Sequence, residues 1–465
     1  MRAHEAGALH GQAGHRSPPW LAPPADSNAL VTSLWPANAV KGEDGVLRVA
    51  GVSALDLADQ HGTPAYIVDE DDFRARARAF RDAFAGVEVF YAGKAFLCRS
   101  VARWVVDEGL SLDVCTGGEL ALALRADVPP ERIGLHGNNK SRAELARALD
   151  VGVGRIIVDS FEEIDRLDEM ARGLGVTARV LVRVTVGVEA HTHEYIATAH
   201  EDQKFGFSIA EDHAIDAVRR VLRCDNLELL GLHSHIGSQI FDSSGFDVAA
   251  RRVLSLHARV TKELGFVAPE LDLGGGFGIA YTTQDDPQVP SRLADAIIAI
   301  VHHECQALGV DVPRLSIEPG RAIAGPSTFT LYEVGTVKQV ALDAGASRTY
   351  VSVDGGMSDN IRTALYDADY SCTLASRRSD AEPVLARVVG KHCEAGDIVV
   401  KDEFVPADIA AGDLLAVPGT GAYCRSMASN YNHVPRPVVV AVRGGQSCVL
   451  VRRETEDDLL RLDVG

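Results

Sequence analysis

From about Pro64 the chain repeats one rhythm: a short run of Val, Ile, Leu and aromatic residues, then polar or glycine residues, then a stretch with apolar positions at helical spacing. Eight such runs occur: 88–95 (EVFYAGKA), 110–118 (LSLDVCTGG), 132–140 (RIGLHGNNK), 155–160 (RIIVDS), 179–187 (RVLVRVTVG), 229–238 (LLGLHSHIGS), 271–278 (LDLGGGFG) and 315–323 (LSIEPGRAI). After the fourth, SFEEIDRLDEMARGLG predicts a helix, with Ser160 and Glu163 as a capping box and Ile164, Leu167 and Met170 at helical spacing. Strands alternating with helices predict a parallel sheet, and eight repeats are the number that closes a (β/α)8 barrel, placed here over residues 64–325. A doubly wound open sheet is the alternative.

After about Ala324 the helical alternation stops. FTLYEVGTVKQVAL, TYVSVDGG, EPVLARVVG, DIVVKDEF, DLLAVPG, PVVVAVRGG and CVLVRRE read as short strands parted by turn residues, which predicts a second, β-rich domain over 326–465. The segment 35–63, containing GVLRVAGVSA, is expected to pair with that domain. Residues 1–34 carry His, Pro, Gly and Ala without an apolar h-region, so a disordered tail is expected there rather than a targeting signal.

Seven of the eight runs end in chemistry: Lys94, Asp113, His136, Asp159, His235 with Ser238, Gly274 to Gly276, and Glu318 with Arg321. In a barrel those ends converge on one rim, where active sites of this architecture lie. Lys94 is the most conspicuous, because an ammonium inside the aromatic segment FYAGKAFL needs a reason to be there. Composition then narrows the partners. A net charge of −19 repels nucleic acid and anionic lipid, and no run approaches the roughly 18 apolar residues of a membrane-spanning helix. The eight cysteines are scattered without a CxxC pair, which points away from zinc or redox motifs and toward free thiols in a reducing, cytoplasmic compartment.

A lysine amine, a glycine run whose open N–H groups suit a phosphate, and an acid on one rim suggest pyridoxal phosphate held as a Schiff base. At this point the chain resembles a known family. YAGKAF, LDVCTGGEL, HGNNK, HSHIGSQI, DLGGGFG, EPGR, SDNIRTALY, GKHCEAGD and GTGAYC, in that order over about residues 35–465, are similar to the diaminopimelate decarboxylases, within the group-IV amino-acid decarboxylases that include ornithine decarboxylase.

The resemblance implies a role for each matching position. Lys94 would attach pyridoxal phosphate, and His235 would stack on its ring. Ser238, Gly276 and the stretch Glu318, Pro319, Gly320 and Arg321 would hold the phosphate, with Glu318 facing the pyridine nitrogen and Tyr423 beside the cofactor. Arg321, Arg362 and Tyr366 would fix the distal carboxylate of meso-2,6-diaminopimelate, a guanidinium and a phenol being directed donors to it, and Glu394 would take the distal ammonium. Cys393 would reprotonate the substrate carbon from a loop reaching into a neighbouring subunit, which implies a homodimer with shared sites. No metal is implied.

Other readings stay open on the sequence: an ornithine- or arginine-type decarboxylase, a metal-dependent barrel hydrolase built on His233 and His235, and a non-catalytic cofactor-binding homologue. Asp113 and Glu119 either orient Lys94 or support the barrel. His191, His193 and His200 lie in a predicted long loop and take no role.

Overall fold

The computed structural model describes residues 17–187, 204–210, 212–341 and 347–465. Two compact units emerge: Arg74–Gly278 with Pro287–Ala322, and Met1–Phe73 with Ile279–Asp286 and Ile323–Gly465. His191, His193 and His200 lie outside the described residues.

In the former unit eight parallel strands close a barrel: β1 (Glu88–Ala92), β2 (Ser111–Val114), β3 (Ile133–Leu135), β4 (Arg155–Val158), β5 (Ala178–Thr185), β6 (Leu227–Ser234), β7 (Glu270–Asp272) and β8 (Arg314–Ile317). Closure comes from β8 pairing back onto β1, Ser316 against Glu88 and Ile317 against Val89. Among the described residues, seven helices make the crossovers: α1 (Arg99–Asp107), α2 (Gly117–Arg125), α3 (Arg142–Val151), α4 (Phe161–Leu174), α5 (His213–Val221), α6 (Ser244–Leu264) and α7 (Pro290–Leu308). Strands covered on both faces explain why the eight runs read as nearly continuous apolar segments. The open-sheet alternative is thereby set aside.

The helix starts follow local chemistry. Thr116, Ser141 and Ser160 each accept a backbone N–H at their helix N-terminus, and Ser141 with Glu144 completes a capping box. The box expected at Ser160 and Glu163 is only half formed. Ser160 accepts the Glu163 N–H, but the Glu163 carboxylate turns inward to the ammonium of Lys140 at 2.7 Å and the N–H of Asp159 at 3.0 Å. A buried ammonium is a stronger partner for a carboxylate than the N-cap amide. At the N-terminal end of the barrel, Arg155 bridges Glu88 at 2.7 Å and Glu270 at 3.4 Å. Charge at that end of this architecture serves stability.

The other unit is β-rich. Its nine-stranded sheet runs Ile398–Pro406, Pro383–Val389, Ser347–Val353, Thr328–Ala341, Ala65–Asp69, Val438–Arg443 and Gln446–Val451, with Leu414–Pro418 and Thr373–Leu374 joined alongside. Ala65–Asp69 corrects the boundary drawn at residue 64. This buried strand pairs antiparallel with Thr328–Leu331 and parallel with Val438–Val442, not with the barrel. A short all-apolar run carries no mark of which sheet it joins, and the barrel sequence begins beyond it. The segment 35–63 makes its own three-stranded sheet, tied on by the Leu47 N–H to the Ala375 carbonyl, and Trp35 packs on Phe329 at 5.7 Å between ring centroids. The expected disorder does not extend over residues 17–34: Leu34 is buried, and Asn28 exchanges hydrogen bonds with the Ser379 backbone.

Candidate active site

The C-terminal rim of the barrel opens into a cavity of about 250 Å³ lined by Lys94, Asp113, His136, Arg183, His233, His235 and Glu318 among others. Each arrives by the same device, a strand that delivers a residue within two positions of its C-terminal end to the rim. Lys94 lies two residues past β1 and is the exposed residue of an otherwise buried stretch, Tyr91–Phe96. Glu318 directly follows β8, and its N–H is held by the Gly274 carbonyl at 2.9 Å.

Glycine makes the rim between β6 and β8 possible. A side chain at Gly275 would meet the Glu318 carbonyl at 2.3 Å, and one at Gly276, where φ is +113°, would meet the Gly237 carbonyl at 2.8 Å. The two loops are laced together by the Ile240 N–H to Gly276 and the Gly278 N–H to Ile240, both at 2.9 Å. Phe277, which took no role in the sequence, anchors them by stacking on Phe246 and meeting Phe80 edge-on. Arg321 reaches across to donate to the Ser238 hydroxyl at 2.8 Å. Gly320 lets this turn pass close to Ala92, whose N–H donates to the Pro319 carbonyl at 3.3 Å.

The electrostatics centre on Glu318. Burial alone would push its carboxyl up, but His136 and His233 hold it well below the usual range. The contacts are 2.8 Å from His233 Nε2 and 3.5 Å from His136 Nε2. Asp113, 3.1 Å from His136 Nε2, is driven well above the carboxylate range by burial and by the charge on Glu318. Burial brings the His136 imidazole down to about 4, and burial together with Lys94 holds His235 well below its ordinary value. The His235 ring is oriented by the Gly275 N–H, which donates to Nδ1 at 3.1 Å. Glu119 accepts the Cys115 N–H at 2.6 Å, which ties it to the loop after β2.

The zinc pair read from the sequence does not form, because His233 turns to Glu318 and His235 to Gly275. Among the described residues, the group spaced as metal ligands would be is His136, His233 and Glu318. Arg183 was missed. It lines the cavity from β5, 4.0 Å from Asp159 and 4.5 Å over the Phe205 ring. An arginine inside RVLVRVTVG was the same signal that drew attention to Lys94.

The remaining predicted residues belong to the β-rich unit. Arg362 is buried, and its guanidinium donates to the Tyr370 hydroxyl and lies 4.5 Å over the Tyr281 ring. Tyr366, on the same short helix Arg362–Tyr366, is half-buried, so the tyrosines that hold Arg362 are ones the sequence did not single out. Tyr423 sits in the left-handed region at φ 61°. Cys393 and Glu394 are exposed on a loop pinned by Asp397, which accepts the N–H groups of Met357 and His392, and by Asn432, which accepts that of Cys393.

Against known families, residues 70–325 match the pyridoxal-binding domain of the pyridoxal-dependent decarboxylases. The chain belongs to that family. It is 56% identical to the diaminopimelate decarboxylase of Mycobacterium leprae over the full length of both chains, and 59% identical to that of Mycobacterium tuberculosis over 94% of this chain and 98% of the other. The crystal structure of diaminopimelate decarboxylase from M. jannaschii in complex with L-lysine superposes with a TM-score of 0.85 at 30% identity, covering 92% of this chain and 98% of that one. As a pyridoxal-dependent decarboxylase the chain takes pyridoxal phosphate, and the cavity suits it. A charged carboxylate, an exposed lysine amine and glycine loops open to close approach are the complement of a pyridine ring, an aldehyde and a phosphate.

Proposed function

We propose that this chain removes the carboxylate at the D centre of meso-2,6-diaminopimelate, giving L-lysine and CO2, the last step of lysine synthesis. The observation that carries the reading is one cavity holding an exposed lysine amine and a buried carboxylate kept charged by histidines, in a chain more than half identical to diaminopimelate decarboxylases.

Bound there, pyridoxal phosphate supplies the electron sink that decarboxylation needs. Lys94 Nζ would be the amine that holds it, at the place the substrate amine would take in turn. His235, with its ring fixed by Gly275, would lie against the cofactor. Ser238, Gly276, Pro319, Gly320 and Arg321 hold the phosphate, and Glu318 holds a proton on the ring nitrogen. Tyr423 borders the cofactor. By the sequence resemblance alone, Arg321, Arg362 and Tyr366 would take the distal carboxylate, and Glu394 the distal ammonium. As the bond to the leaving carboxylate breaks, its electron pair would remain with the substrate and end in the new C–H bond, formed with the proton that the Cys393 thiol would deliver.

The exposed position of Cys393 and Glu394 supports a homodimer in which each subunit lends this loop to the other's cavity. Eight free cysteines support a cytoplasmic enzyme. No helix among the described residues is long and apolar enough to cross a membrane.

Two inactive variants test the reading together. Lys94→Ala should lose the visible cofactor absorbance and CO2 release at once. Mixed with Cys393→Ala subunits it should regain activity, because a mixed dimer holds one site with neither lesion. Turnover by Lys94→Ala alone would sink the assignment, and absence of complementation would sink the shared site.

A further inference from the structure

The two histidines beside Glu318 are given no contact with substrate or cofactor in the roles assigned above. Seen from Glu318, the cavity presents His136 from the end of β3, His233 and His235 from β6, Asp113 from β2 with Cys115 just beyond it, Arg183 from β5, and Lys94, and buried Asp272 of β7, outside the lining, interacts with the charge on Glu318. Three of these groups are carboxyls in one buried space, so they cannot all ionise. Among them Glu318 is the carboxyl that faces two imidazoles, whereas Asp272 accepts the Gly274 N–H and the Ser316 hydroxyl. Glu318 Oε1 lies 2.8 Å from His233 Nε2 and 3.5 Å from His136 Nε2; Asp113 Oδ1 lies 3.1 Å from the same His136 nitrogen, while its Oδ2 has no partner among the described residues.

The direction of the His233 hydrogen bond follows from its other nitrogen. His233 Nδ1 is buried with no partner among the described residues, and a proton there would be an unmet donor. Nε2 is therefore the nitrogen through which His233 donates to Glu318. His136 closes the other side, its ring edge-on to that of His233 at 5.2 Å between centroids, so neither ring turns without displacing the other.

We propose that His136 and His233 are positioning residues: a two-histidine clamp that fixes the Glu318 carboxylate in place and in its charged form, so that it can keep the cofactor's ring nitrogen protonated. This rests on the reading of Glu318 given above. Without the clamp the charge would pass to Asp113 or be lost by protonation, and the electron sink would weaken.

The test uses the holoenzyme of His233→Leu, His233→Gln, His136→Leu and Glu318→Gln, with two readouts: cofactor dissociation, followed by visible absorbance on dilution, and the pH profile of kcat/KM. His233→Leu should retain cofactor about tenfold less tightly, the worth of one hydrogen bond to a charged group. Its acid limb should move to higher pH by about one unit, because an unclamped Glu318 takes up a proton sooner. His233→Gln keeps an N–H near the position of Nε2 and should recover most of both effects. His136→Leu should move both readouts in the same direction and less far. A folded His233→Leu holoenzyme with the parent profile and retention, or a His233→Gln no better than His233→Leu, overturns the clamp. Should His233→Leu not fold, parent values in both readouts for His136→Leu overturn it, and a smaller shift of both in the stated direction upholds it. Glu318→Gln separates the two claims: parent behaviour there refutes the role of Glu318 itself, whereas impairment there with unaffected histidine variants refutes the clamp alone.

Discussion

Lys140 offers a quantitative test of how the rim is held. Its side chain is buried, and Nζ donates to the Gly137 carbonyl at 2.7 Å, the Ile157 carbonyl at 2.6 Å and Glu163 Oε1 at 2.7 Å. One ammonium thus ties the loop after β3, the end of β4 and the first turn of α4. Lys140→Met keeps the stem and removes the charge, leaving Glu163 uncompensated and two carbonyls unmet. Breaking a buried pair from one side costs about 3–5 kcal/mol. For a unit the size of this barrel, that is a fall in Tm of roughly 6–20 °C at about 2–4 °C per kcal/mol. Lys140→Met with Glu163→Leu removes both charges and should recover most of the loss, since a buried pair replaced by apolar groups is often close to neutral. The assay is thermal unfolding of the holoenzyme by circular dichroism, at fixed protein and cofactor concentration. A fall of less than about 2 °C in the single variant, or a double variant as unstable as the single one, would refute the reasoning.

Three further outcomes are expected. His136 is held down to about 4, so the unfolded chain takes up a proton from about pH 6.5 downward while the folded one declines it until about pH 4. Stability should therefore fall with acidification across that window, and the slope of Tm against pH should flatten in His136→Gln; an unchanged slope would contradict the assignment. Gly276→Ala places a Cβ 2.8 Å from the Gly237 carbonyl at a positive φ, so cofactor retention should weaken at least about tenfold by dilution and absorbance, and parent retention would contradict the close approach of the two loops. In a single chain Cys393 and Cys448 are exposed and Cys98, Cys305, Cys372 and Cys424 buried. Mass-resolved alkylation should label Cys448 fast, the buried four slowly, and Cys393 fast only when subunits are separated; fast labelling of Cys393 in the assembled enzyme would count against the shared site.

Much of the barrel was legible because a strand buried on both faces must be apolar throughout, and a residue such as Lys94 or Glu318 breaking that run must sit where the run ends. The same logic failed at Ala65–Asp69, where an equally apolar strand joins the other sheet. Pairing partners 260 and 370 positions away leave no local trace. At the site, single chemical outliers could be read, but their partners could not. Arg362 was found, while Tyr370 and Tyr281, which hold it, look like ordinary core aromatics until the fold brings them to it. Glu163 matched a capping box and was drawn off by Lys140, a buried cation whose position only the closed barrel sets.

The most direct test of the central claim is CO2 release by the holoenzyme from meso-diaminopimelate, L-ornithine, L-lysine and L-arginine, with Lys94→Ala as control. The account predicts turnover of meso-diaminopimelate with L-lysine as product, little or none of the other three, and none in the variant. Preferential turnover of ornithine, lysine or arginine, or CO2 release that survives Lys94→Ala, would contradict it.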